Sequence, residues 1–335
     1  MKNQLWLSKN QPSVLLVLIL FSALIWALQW FFPPESYQQI HHMPGLLVQH
    51  TRGFDLPEYI NIALGYPLYL FSLFLLYKIN SRFQIIPQAN YLVSWVYLFI
   101  TCTDYRFLHF SPDLIAVNLL LLGLYVFLQS QHTRRSYKIM FYTGFLLLSA
   151  ALLNAIALVF IIFILFSLPV IKAPDWRETA NFLLGIATLA AITSGVLYLT
   201  DNFELLHHMP GWKAVFPGAG IPDYKVLLQD FILGLFLITA VFFLITRFGF
   251  LKINVRRYFR VLVILTVFML VLYFGSGMMI MFRYYLAIPV SFILTHFLVN
   301  TKQRFLAGSF LLFLALMMMV SETLAIINNL SAFNG

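Results

Sequence analysis

Long apolar runs recur from one end of this chain to the other, and they limit what it can fold into. A run of ~20 apolar residues, wound into an α-helix at ~1.5 Å per residue, matches the ~30 Å hydrocarbon core of a bilayer. Eleven such helices are expected, at about 13–32, 59–77, 85–102, 112–130, 139–153, 155–171, 179–200, 226–246, 261–281, 285–300 and 306–327. Across lipid every backbone polar group must be satisfied internally, and continuous runs of this length do so as helices. Composition agrees. The 335 residues are 61% hydrophobic and 10% charged, where soluble domains are nearer ~45–50% and ~25%. This excludes a soluble globular enzyme, a disordered chain and a nucleic-acid-binding domain. The expected fold class is all-α, a polytopic integral membrane protein forming a single transmembrane domain over 1–335. Residues 1–200 are read as a core module with a long first outer loop at 33–58. Residues 201–335 carry the second outer loop and the C-terminal helices.

The apolar stretch 139–171 is too long for one span and is interrupted only by Asn154. Splitting it there makes the charges sort. With the N-terminus in the cytoplasm, sixteen Lys and Arg residues fall in inner segments and five in outer ones. Cytoplasmic loops collect basic residues, so the expected topology is N-in, C-out in a bacterial inner membrane. The net charge of +9 is thereby explained without nucleic acid. The basic start and long first run read as a retained helix, not a cleaved signal. Cys102 is the single cysteine, which excludes an intramolecular disulfide and thiolate metal sites. No nucleotide-binding or zinc-protease motif occurs.

Ten of the twelve carboxylates fall on the outer side, so chemistry is expected there. The first outer loop opens on Glu35 and closes around Asp55. A carboxylate partly desolvated at the membrane surface gains strength as a base, whereas a fully solvated one is an ordinary loop acid. The second outer connection holds Asp104, Arg106, His109 and Asp113, with a structural Asp104–Arg106 pair as the plainer reading. Arg283 is the one cation between two late apolar helices on the outer side. A guanidinium suits phosphate, and it equally suits an interfacial anchor. His-His-Met-Pro-Gly occurs at 41–45 and again at 207–211. A shared loop-packing motif accounts for it better than a divalent metal held by His41, His42, His207 and His208. Asp175 is placed as a helix cap with Trp176 at the interface.

Three stretches carry a resemblance: Ser111-Pro112-Asp113 with the run to Leu124, Tyr142 to Ala151 leading to Asp175-Trp176-Arg177-Glu178, and Phe282-Arg283-Tyr284-Tyr285 with Pro289. Together they resemble an uncharacterised family of Bacteroidota polytopic inner-membrane proteins, which in turn looks like the GT-C superfamily of glycosyltransferases. The likeness covers most of the chain at low specificity per position. It implies transfer of a sugar, with mannose the best guess, from a polyprenyl-phosphate donor at the outer face to a protein or glycan acceptor. It implies a catalytic carboxylate in the first outer loop, matched by Glu35 and Asp55, with Asp104 as a further candidate. It also implies a late Arg-Tyr…Pro stretch, matched by Arg283, Tyr284 and Pro289, with Arg106 and Arg52 as additional phosphate ligands. Many GT-C members show a tight acidic pair after the first helix. Glu35 stands alone here, so the assignment requires Asp55 to fold back beside it. The rival expectations are a transporter or flippase of a lipid-linked or anionic substrate, and a non-catalytic subunit of an envelope complex.

The topology is testable with fusions. Alkaline phosphatase fused after Gly335 is expected to be active, and fused within 133–138 to be inactive. The reverse pattern would contradict the orientation.

Overall fold

A computed structural model describes residues 11–31, 58–86, 91–103, 110–133, 136–171, 175–202, 224–276, 280–301, 308–316 and 319. Every regular element among them is helical: α1 (Pro12–Phe31), α2 (Glu58–Phe83), α3 (Leu92–Thr101), α4 (Pro112–Gln129), α5 (Tyr137–Leu153), α6 (Ala157–Ile171), α7 (Trp176–Leu199), α8 (Tyr224–Arg247), α9 (Ile253–Gly275) and α10 (Ile280–Asn300). Residues 308–316 are helical as well. Six helices among the described residues are long and apolar enough to cross a membrane: those within α2, α4, α7, α8, α9 and α10. The protein is therefore an all-α, multi-pass membrane protein.

Local chemistry explains the helix ends. Asn154 leaves the helical region at φ −141° and ends α5. Its Oδ1 accepts from the Ile156 N–H at 2.8 Å, while its Nδ2 donates to Asp113 at the start of α4. One side chain thus satisfies the turn and pins it to a neighbouring helix. Ser111 caps α4 by accepting from Leu114 N–H at 3.3 Å, with Pro112 in the first turn, where its missing N–H costs nothing. Asp175 caps α7 through Arg177 N–H at 3.0 Å.

Helix ends depart from the expected bounds by up to six residues, with α2 running on to Phe83, α9 ending at Gly275 and α10 starting at Ile280, and two helix starts depart further. The helix expected at 85–102 occupies only Leu92–Thr101. Gln84 takes a left-handed φ of 47° and Asn80 Oδ1 accepts from Ile86 N–H, so the chain turns before the helix begins. Ten residues rise ~15 Å, about half the hydrocarbon core. All ten are buried, which is where so short an element can sit at membrane depth. The other difference is α9, which starts at Ile253 and not near 261. Arg256, Arg257 and Arg260 therefore lie on its first turns. Arg256 reaches back to the Gly249 and Leu251 carbonyls at 3.3 and 3.2 Å and closes the preceding 3₁₀ turn.

The helix ends sort into two groups. At one end Thr103, Asp230, Tyr273 and Arg283 meet, as do Asp113 and Asn154. At the other, His132 accepts or donates to Tyr258 at 2.8 Å, Phe83 stacks on His132, and His296 packs on Phe259 at 4.6 Å. Ser136 donates to Glu178 at 2.6 Å, joining the starts of α5 and α7. These two helices therefore run in the same direction, and α6 between them runs back. The long apolar stretch 139–171 is thus a helical hairpin.

The α5–α7 crossing brings the two backbones into contact. A Cβ built on Gly144 would stand 2.2 Å from the Phe182 carbonyl oxygen, and one on Gly185 would stand 2.1 Å from that of Phe141. Small residues allow this close approach, which replaces a hydrophobic drive that lipid cannot supply. At the centre of the bundle lies α10, whose spanning window is 89% buried, against 17% for α7 and for α8. The latter two present most of their apolar surface outward.

Gly144→Ala or Gly185→Ala is expected to destabilise the purified protein by about 1–3 kcal/mol, the usual scale of overpacking. A Cβ on Gly195, also in α7, meets nothing within 4 Å, so Gly195→Ala is expected to gain about 0.5–1 kcal/mol through helix propensity. Thermal unfolding in detergent separates the two. Equal effects at all three glycines would contradict the crossing.

Candidate functional site

Arg283 lies one turn into α10 with its side chain 5% exposed. Leaving a guanidinium unpaired at such depth would be costly, so its surroundings should answer the charge. Nε stands 3.3 Å from Oδ1 of Asp230 on α8, a side chain 15% exposed. The alignment is not that of a hydrogen bond, so the contact is ionic. One terminal nitrogen donates to Thr103 Oγ1 at 2.8 Å and the other reaches Gln229 Oε1 at 3.5 Å. The second oxygen of Asp230 accepts from the Tyr273 hydroxyl on α9. Side chains from α8, α9, α10 and the segment after α3 thus converge on one charge pair. Among the described residues, three protein acceptors face the five N–H groups of Arg283.

This cluster closes one end of a cavity of about 300 Å³ between α8, α9 and α10. Beyond Asp230, Tyr273 and Arg283 its walls are apolar, including Phe231, Ile238, Leu270, Phe274, Leu286 and Val290. Phe231, Ile238 and Phe274 are 67%, 71% and 61% exposed, so the outer wall lies on the surface that faces lipid. The shape is an apolar groove open sideways with a polar, charge-bearing head. Such a site suits an amphiphile whose chain lies along the helices and whose head reaches Arg283.

The expected site residues fare unequally. Glu35, Asp55, Asp104, Arg106, Arg52, His41, His42, His207 and His208 lie outside the described residues. Arg283 lines the groove. Tyr284 does not: one residue on, about 100° around the helix, it is buried against Tyr97 with ring centroids 6.2 Å apart. Tyr97 in turn stacks on Tyr69, whose hydroxyl pairs with Thr101 Oγ1 at 2.7 Å. Tyr284 therefore belongs to a packing cluster between α2, α3 and α10. Asp113 is engaged by Asn154. Among the described residues no group of three or more His, Cys, Asp or Glu side chains is placed to hold a metal ion.

Asp230, Tyr273, Gln229 and Thr103 were not singled out from the sequence. A signal for Asp230 was present. It is a carboxylate inside the apolar run 226–246, and such a group needs a partner. Comparisons with protein-family models, with curated proteins and with solved structures find no match.

Removing one member of the pair strands the other, at a cost of about 3–5 kcal/mol. Arg283→Met or Asp230→Leu alone is expected to unfold early in a thermal melt, and the double substitution to recover most of the loss. Additive losses in the double variant would show that the two charges do not depend on each other.

Proposed function

We propose that the protein is a glycosyltransferase that takes a sugar from a polyprenyl-phosphate donor at the outer face of the bacterial inner membrane. The observation that carries this reading is the apolar groove, open toward lipid along α8 and α9, that ends on Arg283. A polyprenyl chain is a long flexible hydrocarbon that such a groove can hold, and a guanidinium is well matched to the phosphate at its head. The polar cluster gathers at helix ends and not halfway along them, which favours surface chemistry over a transport path across the bilayer.

The reaction needs a base and an anion site. A carboxylate removes the proton from the acceptor hydroxyl, and the oxygen attacks the anomeric carbon. The carbon–oxygen bond to phosphate breaks, and the polyprenyl phosphate leaves with the bonding electrons. Arg283 faces the charge that grows on that phosphate. Glu35, Asp55 and Asp104 remain the candidate bases, by the resemblance to GT-C enzymes. The same resemblance gives mannose as the first donor to test and a protein or glycan as the acceptor.

In proteoliposomes supplied with radiolabelled polyprenyl-phosphate mannose, Arg283→Gln is expected to lower transfer by roughly 10²–10³-fold, the scale of losing one transition-state donor. Glu35→Gln or Asp55→Asn is expected to abolish it while the protein still inserts. Full activity in Glu35→Gln, Asp55→Asn and Asp104→Asn alike would overturn the assignment of the base.

A further inference from the structure

Arg283 already has a counter-ion. Asp230 stands 3.3 Å from its Nε, and among the described residues the cluster of Arg283, Asp230, Gln229, Thr103 and Tyr273 carries one positive and one negative charge. A phosphate brought to this guanidinium meets a carboxylate in a wall of low polarity, where like charges repel strongly. The phosphate and Asp230 want the same charge on Arg283.

We propose that Asp230 is a counter-ion lock on the head of the groove: it competes with an anionic lipid headgroup for Arg283 and so sets which lipids the groove retains. This rests on the reading of the groove as a lipid-carrier site. The geometry gives the lock two further parts. Tyr273 donates to the Asp230 oxygen that does not face Arg283 and so holds the carboxylate on the α9 side of the groove. The contact with Arg283 is ionic without hydrogen-bond alignment, so no aligned hydrogen bond at Nε has to break when the carboxylate gives way. A neutral chain of the same length meets no such competition. The lock therefore discriminates by headgroup charge and leaves chain binding untouched. The ion pair at rest also answers the burial problem. Arg283 stays compensated when no lipid is bound, and the incoming phosphate takes over a role that the carboxylate gives up.

Two substitutions read the lock in opposite directions. Asp230→Asn removes the competitor. Gln229→Glu is isosteric and keeps the acceptor to Arg283 while adding a second carboxylate, on a side chain that is half-buried. Binding of undecaprenyl phosphate and of undecaprenol is measured side by side by native mass spectrometry on the purified proteins. Asp230→Asn is expected to raise undecaprenyl phosphate binding roughly tenfold, the scale of one adjacent charge, and Gln229→Glu to lower it. Undecaprenol binding is expected to be the same in all three proteins. If Asp230→Asn does not fold, Gln229→Glu decides. Undecaprenyl phosphate binding that the folded variants leave unchanged, while the wild type binds it, would overturn the lock alone. Undecaprenyl phosphate binding to none of the proteins would overturn the carrier reading and the lock with it.

Discussion

A positive charge sits near the start of the most enclosed of the six membrane-length helices described, and the architecture around it answers that charge. Arg283 is 5% exposed. It cannot reach water easily, so α8 supplies Asp230 and Gln229, the segment after α3 supplies Thr103, and α9 supplies Tyr273 to hold Asp230. Buried ion pairs add little net stability against an apolar substitute, but losing one partner is severe. The pair therefore acts more as a constraint on register than as a source of stability. It fixes how α8, α9 and α10 stand to one another, and so it shapes the groove between them.

The same economy appears elsewhere. A chain with so few polar side chains places several of them at helix ends and turns. Asn154 breaks an apolar stretch, caps the following turn and ties it to Asp113. Ser136 and Glu178 join the starts of two parallel helices. Tyr69 on α2 pairs with Thr101 and stacks on Tyr97, tying α2 to α3. Where no polar contact is used, as at Gly144 and Gly185, close backbone packing takes its place. The outer faces of α7 and α8 stay largely exposed, and on α8 that exposed surface turns inward to the polar head of the groove.

Much of the fold was legible in the sequence because hydrophobicity and helix capping are local. The break at Asn154, the cap at Asp175 and the start of α4 at Ser111-Pro112 all follow from residues within one turn. The shortness of α3 was not legible, because it depends on a left-handed Gln84 and on Asn80 reaching six residues forward. Nor was the extension of α9 through Arg256, Arg257 and Arg260, since basic residues beside a span read as a loop. For the candidate site, Arg283 stood out as a cation among apolar residues. Its partner did not, because Asp230 is 53 residues away and nothing local connects them. Tyr284 matches the Arg-Tyr…Pro stretch by residue type, yet its side chain packs on Tyr97 outside the groove, because neighbours on a helix face different ways.

The central claim is that a lipid chain enters sideways between α8 and α9 and ends at Arg283. Photo-crosslinking tests it most directly. A polyprenyl phosphate carrying a diazirine near its head should label residues around Phe231 and Phe274, with labelling reduced by unlabelled polyprenyl phosphate and weakened in Arg283→Gln. Equal labelling of the exposed α7 face at Leu184 and Ile192, insensitive to competitor, would show that lipid merely coats the bundle and would contradict the account.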